Sequence, residues 1–423
     1  MTELPKEITA LRGIILAITM ILGSGLFGLP GLALDMGTPQ EALAAWILIS
    51  LAMIPLIAIF SDLGTRFTTA AGLSRYAEEA VGPWGSVAVV YLMIGSVAFG
   101  MPAMSNIAAA YIARLIGAPE SATVVLSLAF IVTMVASNVF GVRATSAVNG
   151  IAFSTLAGLL LVVIVHNIAY LGVGLSAGAE IVRGNPSLSP RSIARLCALL
   201  FWAFLGWENL SYGLEEFQNP RRNIPIAFWG SFVAVTALYV LLALVTTGAA
   251  LSGRAVGGAS GMANLLPRNV GEKGLIAVMI LVLLANGNAW VFSISRMLYA
   301  AGRDGILPAP LARLDRRGIP TTSLIWLLAV FAAVTVLSPL TGLSTGQLVI
   351  LVSQNFVFLF AFAIVAYWRL NGGLKSRLVG VAAAATSALL LSDLSWSVLF
   401  PAALTATGYL ASTRKKGPKE KTT

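Results

Sequence analysis

The feature that constrains this chain most is a repeated pattern of apolar runs about 20 residues long. A helix of that length crosses a hydrocarbon core of roughly 30 Å. The runs lack the strict alternation of a membrane barrel, and a helix satisfies its backbone hydrogen bonds internally, as lipid requires. The sequence therefore predicts an all-α, polytopic membrane protein.

Composition excludes several other classes of protein. Of 423 residues, 58% are hydrophobic and 10% charged, whereas a soluble protein carries about 25% charged residues. The net charge of +10 does not indicate a nucleic-acid partner, because the basic residues are spread through short loops. A single cysteine, Cys197, and a single histidine, His166, cannot form a disulfide or a His/Cys metal cluster. We therefore expect no metal and no cofactor.

The gaps between apolar runs predict about twelve transmembrane helices. The last two are short and are joined only by Asp393-Leu394, so one re-entrant hairpin is an alternative for them. Because residues 1–12 are polar and no A-x-A site follows, we expect no cleavable signal peptide. The predicted spans are 13–34, 42–61, 84–116, 122–140, 146–173, 193–213, 225–250, 275–300, 322–340, 347–369, 377–392 and 395–411.

The distribution of basic residues predicts the orientation of the chain. Of the 27 Lys and Arg residues, 20 fall in the termini and loops of one side and 7 in those of the other. Basic loops are retained in the cytoplasm. The count predicts a multi-pass protein of the inner (cytoplasmic) membrane, with both termini cytoplasmic.

Two of the predicted spans carry the signals of a broken helix. Span 1 contains Gly23-Ser24-Gly25-Leu26-Phe27-Gly28-Leu29-Pro30-Gly31, and an interior Gly or Pro costs a helix about 1 or 3 kcal/mol. Span 6 contains Gly206 two residues before Glu208. Unwound peptide groups are tolerated in a membrane only where they line a cavity or meet a ligand. We expect Ser24 and Gly25 to offer N–H groups to a carboxylate, and carbonyls near Ile21 to accept an ammonium group.

Glu208 is the sharpest single functional candidate. A carboxylate inside the bilayer costs several kcal/mol and persists where it faces a cavity or a partner. We interpret Glu208 as a proton-coupling group; a structural carboxylic acid hydrogen-bonded between helices is the alternative. His166, near the end of span 5, is equally compatible with packing and with proton transfer.

The two interruptions lie about 180 residues apart, in corresponding positions of two halves. Such pairs indicate an inverted repeat of five plus five helices with the binding site at the interface. We predict a first repeat over residues 1–173 and a second over 174–370. Two extra helices and a basic tail would occupy 371–423.

Several motifs resemble the amino acid-polyamine-organocation superfamily. The first is the G-S-G-[IVL]-F-x-x-P break, here Gly23 to Pro30, and the resemblance extends over residues 13 to about 370. Further matching segments are Leu63–Phe67, Tyr76, Phe201–Glu208, Asn219–Pro225, Ser295–Ala300, Arg303–Gly305 and Gly318–Pro320. The resemblance is closest to the bacterial methionine and branched-chain amino acid exporters.

The resemblance implies a role for each residue of the breaks. Gly23 provides the turn, the carbonyls of Ile21, Phe201 and Phe204 receive the ammonium, and Trp202 closes the site as a lid. Met101, Leu205 and Trp290 surround the substrate side chain. This apolar wall favours a Met, Leu, Ile or Val side chain. Several proton-coupled relatives place a lysine in helix 5, but residues 154–159 here contain none, which directs attention to Glu208.

We therefore expect a secondary transporter that moves a small L-amino acid by alternating access, with proton-linked export. Its partners would be the substrate, the lipid bilayer and protons; the oligomeric state is open. Import by proton symport, and exchange of cationic amino acids or polyamines, are the alternatives. An enzyme would need a nucleophile with a base, or metal ligands, and a channel would need a filter or rings of charge. Neither pattern is visible in the sequence, and no sizeable soluble domain suggests a receptor.

Overall fold

The computed structural model describes residues 6, 8–69, 72–140, 158–184, 187–267, 272–392 and 396–414. The secondary structure of these residues is helical apart from turns and one isolated bridge between Ile8 and Phe217. The prediction of an all-α polytopic membrane protein is confirmed.

Seventeen α-helices follow one another along the described residues. Eight helical stretches are long and apolar enough to cross a membrane, or nine if a bent pair is counted as one span. The helices are α1 Ala10–Ile21, α2 Ser24–Phe27, α3 Leu29–Met36, α4 Pro39–Arg66, α5 Leu73–Val81, α6 Pro83–Ile116, α7 Thr123–Ser137, α8 Gly158–His166, α9 Ile168–Val182, α10 Pro190–Leu200, α11 Trp207–Leu210, α12 Pro220–Leu251, α13 Glu272–Arg303, α14 Thr321–Leu340, α15 Thr345–Leu370, α16 Leu374–Leu390 and α17 Leu399–Arg414.

Each predicted span contains helix in the part that the structure describes. Span 1 corresponds to α1–α3, and span 6 to α10, a 3-10 turn over Phe201–Phe204, and α11. The last two spans correspond to α16 and α17, which have 17 and 16 residues and are short, as the sequence predicted. The Asp393-Leu394 link between them lies outside the described residues.

The fifth span differs from its prediction. Residues 146–157 lie outside the described part of the chain, and the rest bends by 76° between α8 and α9, which continues beyond the predicted end at 173 to Val182. At the bend the buried amide of Asn167 donates hydrogen bonds to the carbonyls of Val163 (2.8 Å) and Leu265 (2.6 Å). The bend is therefore fixed by a contact with a distant loop. His166 is exposed beside it.

The repeat boundaries remain a prediction. The proposed division after residue 173 falls inside α9, which runs without interruption from Ile168 to Val182. Helix α9 packs closely on α12: a Cβ added to Gly174 would lie 2.1 Å from the carbonyl oxygen of Leu244, and one added to Gly248 would lie 2.0 Å from that of Tyr170. Small residues permit this backbone contact.

The broken spans are joined to each other at one end, and the other end of span 6 is joined to α4. Before α1, the N–H of Ile8 donates to the carbonyl of Glu216 (2.9 Å), and the N–H of Gln218 donates to the carbonyl of Ile8 (3.0 Å). At the other end, Glu41 in the first turn of α4 accepts hydrogen bonds from Ser189 and Ser192 at the start of α10. These contacts fix the ends of the broken helices relative to their neighbours.

Candidate functional site

The break in span 1 lies where the sequence predicts it. Helix α1 ends at Ile21, Leu22 is extended with ψ 109°, and helix resumes at Ser24. The carbonyl of Gly23 accepts a hydrogen bond from the N–H of Leu26 (3.1 Å). Pro30 lies in the first turn of α3, where its missing N–H has no intrahelical partner to lose.

The break in span 6 is longer. After α10, the 3-10 turn Phe201–Phe204 is followed by extended Leu205 and by Gly206, whose φ is +139°. A side chain at Gly206 would be strained in this conformation. Helix resumes at Trp207. Glycine thus sets the position of the second break, as the sequence predicted.

The two breaks are in direct contact. A Cβ added to Gly25 would lie 2.8 Å from the Cα of Ala203, and one added to Gly206 would lie 2.8 Å from Cγ1 of Ile21. The hydroxyl of Tyr239 donates to the carbonyl of Ala203 (2.9 Å) and so anchors the 3-10 turn. Backbone approaches of this kind require glycine at positions 25 and 206.

A cavity opens beside the breaks. Its wall is made of aliphatic, thioether and indole side chains, with the hydroxyl of Ser96 and the amide of Asn286 as further polar groups, and no charged side chain is among the described residues of the lining. The lining residues are Met20, Ile21, Gly25, Ser96, Val97, Gly100, Met101, Met104, Trp202, Leu205, Asn286, Trp290, Val352 and Phe356.

Most of the predicted site residues meet at this cavity. Trp202 packs over Gly100, whose added Cβ would lie 3.3 Å from Cη2 of the indole, and Trp290 packs edge-on against Phe356 with ring centroids 6.4 Å apart. Gly23 contacts the Asn286 side chain, and Ser24 begins α2. The predicted residues in the lining are Ile21, Gly25, Met101, Trp202, Leu205 and Trp290.

Two predicted residues place their rings elsewhere. The Phe201 ring packs edge-on against Phe360 at 5.7 Å, and the Phe204 ring lies against Trp46, Tyr239 and Trp207. Neither residue belongs to the cavity lining. That their carbonyls receive an ammonium group stays a prediction.

Sequence reasoning missed several lining residues. Asn286 and Trp290 lie one helical turn apart on α13, and Val352 and Phe356 lie one turn apart on α15. The i, i+4 spacing places each pair on one face of its helix. Asn286 could have been predicted from its position one helical turn before Trp290. Nothing local in the sequence indicates that α15 contributes to the cavity wall.

Glu208 is fully buried in the first turn of α11. Its Oε2 accepts a hydrogen bond from the N–H of Gly206 (2.9 Å), and its Oε1 has no hydrogen-bond partner in the described part of the chain. A buried polar atom without a partner is costly. Glu208 lies outside the cavity lining, three residues beyond Leu205. The helix 5 segment that lacks a lysine, 154–159, extends largely outside the described residues.

A cavity where two interrupted apolar helices meet is the arrangement of a secondary transporter. Residues 8–419 match the family model for amino acid permeases, and the chain belongs to that family, as its resemblance to the amino acid-polyamine-organocation superfamily implies. It is therefore a multi-pass transporter of the amino acid permease type.

Relatives match most or nearly all of the chain. An uncharacterized amino acid permease of Bacillus subtilis (strain 168), YecA, is 25% identical over 99% of this chain and 98% of its own length. The L-methionine/branched-chain amino acid exporter YjeH of Escherichia coli (strain K12) is 25% identical over 99% of both chains. The human b(0,+)-type amino acid transporter 1 is 27% identical over 77% of this chain and 69% of its own.

Proposed function

We propose that this protein exports a small apolar L-amino acid of the Met, Leu, Ile and Val class across the cytoplasmic membrane, in exchange for protons. The observation that carries the substrate class is the cavity wall. It combines thioether, aliphatic and indole groups with no charged side chain among its described residues. A cationic side chain would lose its hydration there without gaining an anionic partner among the described lining residues.

The zwitterionic end of the substrate would bind at the break in span 1. A helix that begins at Ser24 leaves its first N–H groups without intrahelical partners, and these suit a carboxylate. Ile21, at the end of α1, would offer carbonyl oxygen to the ammonium group. The substrate side chain would then extend toward Met101, Leu205 and Trp290.

Glu208 would supply the proton coupling. It is fully buried and its Oε1 has no partner among the described residues, whereas a lasting structural carboxyl normally has both oxygens bonded. A group that takes up a proton in one conformation and releases it in the other links the proton gradient to the position of the broken helices. The bridge at Ile8 would make the cytoplasmic ends of spans 1 and 6 move together.

Orientation follows from the basic residues, with both termini in the cytoplasm of a cell that has an energised inner membrane. Trp202 would close the site from one side by its packing over Gly100. The name of the exporter YjeH agrees with this direction and substrate class.

Counterflow in proteoliposomes tests the proposal. We expect labelled methionine, leucine, isoleucine and valine to exchange, and arginine and putrescine to fail. A pH gradient should be imposed with the acidic compartment on the side opposite the protein's cytoplasmic face. We expect this gradient to drive apolar amino acids into the acidic compartment. Exchange of arginine or putrescine without methionine would overturn the substrate class, and accumulation on the alkaline side would indicate symport instead of antiport.

A further inference from the structure

The amide of Asn286 lies directly against the break in span 1. A Cβ added to Gly23 would lie 2.5 Å from both Cγ and Oδ1 of Asn286, and 2.7 Å from its Nδ2. The amide therefore occupies the space that any side chain at position 23 would need. Asn286 comes from α13 and lines the cavity, one helical turn before Trp290.

The amide of Asn286 differs from its polar neighbours in its hydrogen bonding. Asn286 forms no hydrogen bond with any residue that the structure describes. Two positions further on, Oδ1 of Asn288 accepts hydrogen bonds from Ser137 Oγ (2.7 Å) and Asn138 Nδ2 (2.5 Å). The other small polar side chain of the cavity, Ser96, donates to the carbonyl of Leu92 (2.9 Å). Asn286 thus keeps its full donor capacity at the cavity.

The nearby backbone indicates which end of a zwitterion this amide would meet. The carbonyl of Gly23 already accepts the N–H of Leu26, whereas the N–H of Gly23 donates to no described residue. The amide of Asn286 thus lies against Gly23, and neither its NH₂ group nor the peptide N–H of Gly23 has an acceptor among the described residues. Two donors without acceptors beside an apolar cavity suit an anionic oxygen.

We propose that Asn286 is a specificity-determining residue whose NH₂ group donates a hydrogen bond to the α-carboxylate of the transported amino acid. The inference rests on the proposed function and deepens it. It makes the protein select amino acids over their esters and over the corresponding amines, because only a free carboxylate makes a charge-assisted bond with both donors. An ester or an amine would leave at least one of these donors unpaired, which lowers its affinity relative to the amino acid.

The test compares three ligands as competitors of methionine counterflow: L-methionine, L-methionine methyl ester and 3-(methylthio)propylamine. Asn286→Ala should weaken methionine about 10- to 100-fold, as expected for loss of a hydrogen bond to a charged group. The ester and the amine should change by less than about 3-fold, so that the preference for methionine collapses. Asn286→Asp should weaken methionine further and improve the amine, because a second carboxylate repels the first.

Two further variants keep the test decisive. Asn288→Ala removes the other amide of α13, which bonds to α7, and should lower thermal stability while preserving the ligand preference. Asn286→Ser provides a second substitution if Asn286→Ala fails to fold. Equal weakening of all three ligands would assign Asn286 a packing role and overturn the proposal. Failure of the wild-type protein to exchange any amino acid would instead overturn the proposed function.

Discussion

Two buried carboxylates have opposite surroundings: Glu41 of α4 contacts the start of span 6, and Glu208 lies at the midpoint of span 6. At the start, both oxygens of Glu41 are bonded: Oε2 accepts from the N–H of Thr38 (3.0 Å) and Ser192 Oγ (2.9 Å), and Oε1 from the N–H of Ser189 (3.0 Å). At the midpoint, Glu208 has one bonded oxygen and one without a described partner. The bonds of Glu41 stabilise the fold, whereas Glu208 keeps one oxygen that can take part in function.

The same division separates Asn288 from Asn286, two residues apart on α13. Asn288 joins α13 to α7 through Ser137 and Asn138, whereas Asn286 faces the cavity without a described hydrogen bond. In a membrane, where no water repairs a missing bond, unsatisfied polar atoms are expensive and concentrate at functional sites. Substitutions that remove the contact between Glu41 of α4 and the start of span 6 should therefore lower stability, and those at the breaks should lower transport.

The largest effect should come from Gly25→Ala. The added Cβ would lie 2.8 Å from the backbone Cα of Ala203, which no side-chain rotation can relieve. Overpacking costs about 1–3 kcal/mol, and because the neighbour is backbone we expect counterflow to fall about 100-fold, near the upper end of that range. Gly178→Ala in α9 is the matched control, since its nearest atom would be Leu43 Cδ2 at 3.9 Å. Normal transport by Gly25→Ala would show that the breaks need not touch.

The second effect concerns stability. Glu41→Ala removes the carboxylate of a capping box and leaves the N–H groups of Thr38 and Ser189 without their partner. Bonds to charged groups and helix caps of this kind contribute about 2 kcal/mol together after relaxation. Denaturant unfolding of the purified protein in detergent measures the loss.

Its control is Glu180→Ala, which removes an exposed carboxylate of α9 and should change stability by less than about 0.5 kcal/mol. Counterflow per folded molecule should be the same in both variants and the wild type. If Glu41→Ala kept full stability but changed transport, Glu41 would have a role in transport and not in stability.

The third prediction concerns Glu208→Gln. The amide keeps an oxygen for the N–H of Gly206 but carries no exchangeable carboxyl proton. Counterflow at fixed pH should stay within about 3-fold of the wild type, because no substrate contact is lost, while its dependence on pH and on a pH gradient should disappear. Rates at a series of pH values between 5 and 8 provide the measurement. An unchanged pH response would remove Glu208 from the coupling.

Local signals account for most of what the sequence predicted. The breaks at Gly23 and Gly206 were found because glycine and proline penalties act within one helical turn. The bend at Asn167 was missed because its cause, the carbonyl of Leu265, is 98 residues away. Likewise, the 3-10 turn of Phe201–Phe204 has a period different from 3.6, so the helical pattern could not show that the Phe204 ring turns toward Trp46 and Tyr239.

The smallest effect should come from a carboxylate that is well bonded but exposed. Asp315, between α13 and α14, accepts hydrogen bonds at Oδ1 from the N–H groups of Arg317 (2.8 Å) and Ile319 (2.9 Å), and at Oδ2 from Thr321 Oγ1 (3.3 Å). The bond from the Ile319 N–H is the main cause that lowers the pKa of Asp315 below its ordinary value of 3.8. A lowered pKa in the folded state stabilises the loop above pH 3.8, and this contribution is lost as the pH falls through the folded value.

Asp315→Asn should therefore speed amide hydrogen exchange at Arg317 and Ile319 near neutral pH, with little change in global unfolding or in transport. The difference between variant and wild type should shrink as the pH falls below 3.8, because the wild-type carboxylate then loses its charge as well. Exchange measured by mass spectrometry at several pH values, corrected for intrinsic rates, decides the matter. If the variant lost transport instead, bonded carboxylates could not be assigned to stability alone, and the contrast between Glu41 and Glu208 would lose its meaning.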